Sequence, residues 1–189
     1  MPATRDALLD AAYEAVVSGG WPKARMADVA QAAGVSRQTL YNEFGSKDAL
    51  AQALTLREAD RFLDAVDAAL TGHEGGPAEA VGVSVAAALR LAADNPLVKA
   101  VLTDDTDAGG LLPFLTTRAE PLLAAARSRF LARLHEDWPA IDPVEAELAA
   151  ETVVRLTVSY LVLPAEAVDL VAARVAHLVE KLLAAGARP

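Results

Sequence analysis

The chain has 189 residues, with 43 Ala, 27 Leu and 19 Val against one Ile, nine aromatics and no Cys, and its net charge is −9. Rich in the best helix formers and poor in most residues that suit a pleated surface, this composition predicts helix rather than sheet; the missing Cys excludes thiol catalysis, CxxC redox chemistry and thiolate zinc sites. Uncharged stretches reach only ten residues, at 80–89, 108–117 and 156–165, against the ~20 that span a bilayer, and Asp6, Asp10 and Glu14 break any leader sequence, so a cytoplasmic chain without a membrane partner is expected.

Thr4 is placed to cap a first helix, with Leu8, Ala12 and Val16 recurring at helical spacing and Gly19-Gly20 ending it before Trp21-Pro22. A short helix over about 25–33 stops at Gly34. Ser36 then caps a second short helix that directs Leu40 and Phe44 inward and stops at Gly45. Ser46 caps a long helix to about Leu70, whose buried stripe is Leu50, Leu54, Leu63, Val66 and Leu70. After the Gly-rich loop from Thr71 to Pro77, helices are expected at about 77–94, 96–102, 111–136, 143–163 and 165–185. Breaks fall at Asn95-Pro96, at the acidic Gly-rich loop 103–110, at Trp138-Pro139 with Asp142-Pro143, and at Pro164. No repeat of about 20–50 residues is present, and the fold class is all-α.

Charge divides the chain unevenly. Residues 1–50 hold five basic and six acidic side chains, whereas 51–189 hold twelve and twenty. The near-neutral first part also contains two short helices joined at a Gly, with Ala30, Ala33, Gly34 and Val35 small enough for a close crossing, the pattern of a helix-turn-helix. Burying Val35, Leu40 and Phe44 leaves Ser36, Arg37, Gln38, Thr39, Tyr41 and Asn42 outside. Arg and Gln pair bidentately with guanine and adenine edges, and Ser, Thr and Tyr bind phosphates, so this face suits duplex DNA.

The run MADVAQAAGVSRQTLYNEFGSKDAL, Met26 to Leu50, resembles the DNA-binding domain of TetR/AcrR-type transcriptional regulators, and the likeness extends back through Arg5, Leu8, Leu9, Ala12 and Gly20-Trp21. The resemblance implies a three-helix helix-turn-helix domain over 1–47, joined by a long helix to a helical ligand-binding and dimerisation domain over 48–189. It implies that Ser36, Arg37, Gln38 and Thr39 face bases or backbone and that Tyr41 and Lys47 bind phosphate; Asn42 is a candidate DNA contact from its place on the outward face alone. Two positions depart from the family pattern. Ala24-Arg25 stands where Thr or Ser usually opens helix two, so a backbone contact there falls to Arg25, and Asn42-Glu43-Phe44 replaces an aromatic-His-Phe run.

The resemblance further implies a homodimeric repressor of a pseudo-palindromic operator, released by a small effector, with its last two long helices paired across subunits. The seam Val168, Val171, Val175, Leu178 and Leu182, together with Val154, Val158 and Leu161, is the expected dimer interface. A mainly apolar effector follows from composition. Leu89, Leu102, Leu111, Leu112, Phe114, Leu115, Leu122 and Phe130 are its candidate pocket, although periodicity is equally compatible with a filled core there.

Chemistry of other kinds finds little support. An EF-hand loop needs a Glu at its twelfth position, where counting from Asp104 or Asp105 gives Leu115 or Thr116. His73, His135 and His177 lie far apart in sequence without an HExxH pattern, and Gly82-Val83-Ser84-Val85-Ala86 lacks the second Gly of a nucleophile elbow. No catalytic residue, metal or cofactor is assigned. The alternative is a helical ligand carrier or enzyme with an incidental DNA-binding fold.

Overall fold

The computed structural model describes residues 2–70, 73–102, 110–164 and 166–186. Its described elements are α-helices joined by short connections and two 3₁₀ turns: α1 (Pro2–Gly19), α2 (Met26–Ala32), α3 (Arg37–Phe44), α4 (Lys47–Ala69), α5 (Pro77–Asp94), α6 (Pro96–Leu102), α7 (Glu120–Asp137), α8 (Pro143–Val162) and α9 (Val168–Gly186), with the turns at Trp21–Lys23 and Leu112–Leu115. Most boundaries follow from local chemistry. Ser36 Oγ accepts from Thr39 N, Ser46 Oγ from Ala49 N, Asn95 Oδ1 from Leu97 N and Asp142 Oδ1 from Val144 N, so each satisfies an amide that the first helical turn leaves free. Gly34 and Gly45 hold φ of 70° and 74°, the left-handed region open to a residue without Cβ.

Two expected boundaries differ. Thr4 lies inside α1, because the helix already begins at Pro2, whose fixed φ suits a first helical position. The helix expected over 111–136 is broken into the 3₁₀ turn and α7. Thr116 N and Arg118 N both donate to Pro113 O, closing a turn, and Thr116 takes φ −127° and ψ −95°. Burial explains why the periodic pattern yields there: Leu111 and Phe114 are drawn into a core that a straight helix would leave unfilled. The loop segments 71–72 and 103–109, with the acids Asp104 to Asp107 and Gly109, lie outside the described residues.

The described residues of Met1–Glu58 and Asn95–Ala119 form one compact unit, and those of Ala59–Asp94 and Glu120–Pro189 a second. In the first, α1, α2, α3 and the start of α4 close around Leu8, Leu40, Leu50 and Leu54, and Leu97, Val101, Leu111 and Phe114 complete the same core. In the second, Val81, Val85, Ala86 and Leu89 of α5 pack with Ala149 and Val153 of α8 and with Val171, Ala172, Val175 and Val179 of α9. Gly82 admits the close approach of α5 and α9, since a Cβ there would stand 3.3 Å from Ala176 Cβ. Ser84 is buried and donates to Ala80 O one turn back, an ordinary way to satisfy a hydroxyl inside a helix. Among the described residues, no single helix is long and apolar enough to cross a membrane.

This packing predicts two outcomes. Leu40→Ala, deleting a side chain that is 0% exposed, should cost about 2–5 kcal/mol in urea denaturation. Val175→Glu should bring an unpaired charge into the second core and abolish its cooperative unfolding transition; a wild-type transition would show that this seam is not core.

Candidate nucleic-acid interface

The candidate site is the outer face of α3. At eight residues this helix is too short to persist in water alone, so tertiary burial and its end caps hold it. Leu40 and Phe44, one turn apart, are buried, while Ser36, Arg37, Gln38 and Asn42 are exposed and Thr39 and Tyr41 are half-buried. The crossing from α2 is short, as the small residues predict: Val35 N donates to Ala30 O at 2.9 Å, and Ala30 is buried. Of the six polar side chains expected to point outward, four are therefore exposed and two half-buried.

They are also mutually ordered. Ser36 Oγ and Thr39 Oγ1 are 2.8 Å apart; Arg37 Nη2 donates to Tyr41 OH at 3.4 Å, its guanidinium 5.3 Å from the ring centroid; Gln38 Nε2 donates to Asn42 Oδ1 at 2.8 Å. Arg25 is exposed at the N-cap position of α2, where its carbonyl accepts from Asp28 N and Val29 N. Lys47 is more committed than a free phosphate contact. Its ammonium donates to Trp21 O at 2.9 Å and Pro22 O at 3.3 Å and stands 5.1 Å from the Trp21 ring centroid. Burial holds its pKa below the usual lysine value, with Asp48 working in the opposite direction. One N–H remains for a ligand.

Two long-range ion pairs near this surface were not legible in the sequence. Arg5 of α1 donates to Glu43 at 2.9 Å and lies 4.7 Å from the Phe44 ring centroid, joining the first turn of α1 to the last turn of α3. Arg118 likewise pairs with Asp48 at 3.1 Å. Glu43 at the end of α3 and Asp48 at the start of α4 are thus each matched by a cation, which lessens the repulsion a phosphate backbone would meet there. No local signal marks either pair, because the partners are 38 and 70 residues apart.

The other expected sets are divided. Of the candidate pocket residues, Leu102 belongs to α6 and Leu111, Leu112, Phe114 and Leu115 pack in or against the core of the first unit, whereas Leu89, Leu122 and Phe130 belong to the second. Among the expected interface residues, Val171 and Val175 are 2% and 1% exposed, sealed in the chain's own core together with α5; Val154 is buried too. The reason is that α5 carries the apolar run 80–89 and needs a cover, which α9 supplies. Val158, Leu161, Val168 and Leu182 are half-buried and Leu178 is exposed.

A sequence profile of bacterial regulatory proteins of the tetR family matches residues 8–54, and a profile of the bacterial tetracyclin repressor C-terminal domain matches residues 77–181. The chain is similar to the HTH-type transcriptional regulator AlkX of Mycobacterium tuberculosis, with 38% identity over 175 residues that cover 93% of this chain and 82% of that protein. Among solved structures it resembles the TetR family repressor AlkX from Dietzia sp., implicated in biodegradation of n-alkanes, with a TM-score of 0.76, 33% identity and 94% of each chain covered. The R. erythropolis transcriptional repressor QsdR shares the fold at a TM-score of 0.70 and 18% identity, over 97% of this chain and 96% of that one.

Ser36 caps α3 and is a candidate duplex contact, and a pair of variants separates the two roles. Ser36→Ala should lower stability by about 0.5–2 kcal/mol through loss of the cap. Ser36→Asp keeps a capping oxygen and should retain stability in urea denaturation, yet weaken duplex binding in anisotropy titrations because it sets a negative charge at the phosphates. Unchanged duplex affinity for Ser36→Asp would remove this helix end from the contact surface.

Proposed function

Because the chain belongs to the TetR family of bacterial transcriptional regulators, with a DNA-binding helix-turn-helix and a ligand-binding C-terminal half, we propose that it is a homodimeric repressor that leaves its operator when an apolar effector binds. The observation that carries the reading is the exposed polar face of α3, in which Arg37, Gln38 and Asn42 stand outward on a helix fixed by Leu40, Phe44 and the Ser36 cap. Arg25, Ser36, Thr39, Tyr41 and the remaining N–H of Lys47 serve backbone contacts around it. The protein acts in the cytoplasm by binding rather than by catalysis.

Reading a pseudo-palindrome needs two such faces, one per half-site, about 34 Å apart. The buried valines of α9 are already used inside the chain, so the dimer surface is assigned instead to its outward apolar residues: Val144, Leu148 and Leu163 along α8 and its end, with Leu170 and Leu178 on α9, all exposed. Such side chains are better covered than solvated.

The effector is proposed to be a lipophilic compound related to alkanes or to fatty acids. Support comes from likeness to the Dietzia repressor and from the apolar second unit, where Leu122 and Phe130 are half-buried, as are Phe62, Leu63 and Leu123. For release, the effector must favour the conformation that DNA disfavours, and operator DNA must weaken effector binding by the same factor.

Two measurements test this reading. Leu170→Glu with Leu178→Glu should yield folded monomers in sedimentation and lose operator affinity; an unchanged dimer would put the interface elsewhere. Calorimetric titration of a long-chain alkane or fatty acid with and without operator should differ in affinity, by about 5- to 150-fold if coupling is typical, and equal affinities would exclude release by that effector.

A further inference from the structure

The polar side chains of α3 and its Ser36 cap form three hydrogen-bonded pairs, and the pairs differ in chemistry. Ser36 and Thr39 are engaged at the helix cap. Arg37, stacked on Tyr41, carries a positive charge, which attracts any phosphate as readily as it reads a base. Gln38 and Asn42 are neutral amides, both exposed and one turn apart, with Gln38 Nε2 donating to Asn42 Oδ1 at 2.8 Å. A neutral amide gains little from a phosphate's charge but carries a donor and an acceptor side by side, the combination that a base edge can match.

Counting what this hydrogen bond leaves free identifies the base. Gln38 keeps its carbonyl oxygen and one N–H; Asn42 keeps its two N–H groups. In the major groove, adenine offers an N6–H donor beside the N7 acceptor, which Gln38 meets with its free oxygen and its free N–H together. Guanine offers two acceptors there, one of which would face the Gln38 oxygen. Cytosine offers only the N4 donor and thymine only the O4 acceptor, so each satisfies half of the amide. The bond to Asn42 also restrains a long side chain whose torsions would otherwise have to be frozen on binding. Glu43, the one carboxylate on the helix, is held by Arg5.

We propose that Gln38 reads one adenine in each operator half-site, N6–H donating to Oε1 and Nε2–H donating to N7, and that Asn42 is the positioning residue that holds the Gln38 amide for it. This rests on the operator-binding reading above and adds the base and the division of labour.

Sequences selected from a random duplex library by the full-length protein give the reference site. Affinities are then measured for all four base pairs at each position with the wild type, Gln38→Ala, Asn42→Ala, the double variant and Asn42→Asp, each checked for folding by circular dichroism. The wild type should prefer A·T at one position by about 5- to 150-fold. Both single variants should lose most of that preference at the same position, and the double variant should lose no more than Gln38→Ala. Asn42→Asp retains the accepting oxygen, so it should keep the adenine preference while binding all duplexes more weakly. Loss at two different positions, additive losses, a G·C preference at the shared position, or no change would overturn the proposal. If the wild type enriches no sequence, the operator-binding reading fails, and this assignment with it.

Discussion

The candidate DNA-binding surface depends on the burial of Leu40. A helix of eight residues has little stability of its own, and α3 carries its polar side chains outward only while Leu40 and Phe44 are sealed against Leu8, Leu50 and Leu54. The caps fix where it begins and ends, and the Arg5–Glu43 pair ties its far end to α1. Orientation of the reading face is therefore set by apolar contacts on the opposite side of the same helix. Here the chemistry of recognition and the physics of folding meet in one short segment.

An acidic protein that binds a polyanion has to solve a field problem. The net charge of −9 resides almost wholly beyond residue 50, and the first 50 residues come to −1. Close to α3 the compensation is finer: Glu43 and Asp48 are each paired with an arginine, so Arg37 and Arg25 face solvent without those two acids being left unmatched. Long-range steering by net charge is weak in such a protein. Discrimination must come from short-range contacts, which favours a reader built of neutral amides over one built of charge alone.

Much of this was legible in the sequence, for a physical reason: helix ends are local events. Ser36 and Ser46 cap as their side chains predict, Asn95-Pro96 and Asp142-Pro143 fall at helix boundaries as expected, the glycines stop helices where a positive φ is needed, and the run from Met26 to Leu50 announces its family. What escaped depends on distant partners. Periodicity shows that α9 has an apolar seam but not which helix covers it, and α5 ends at Asp94, 74 residues before that seam begins at Val168. The helical pattern over 111–119 gave way because Leu111 and Phe114 fill a core made mainly by residues 8–54. Lys47 read as a phosphate contact, and nothing adjacent to it in the sequence reveals two carbonyls at Trp21 and Pro22.

That last core has a further meaning for how such a chain can be rearranged. The unit that presents α3 is stitched from two stretches of sequence, since Leu97, Val101, Leu111 and Phe114 sit in one cluster with the helix-turn-helix leucines. A cut within α4 would keep every DNA-facing residue and discard four of the side chains that seal them from behind. The reading head is thus not a portable module: chimaeras that exchange heads between related regulators need to carry 95–119 along with the N-terminal helices. Substitutions in that later stretch, though outside the recognisable motif, act on the same core that holds the motif in place.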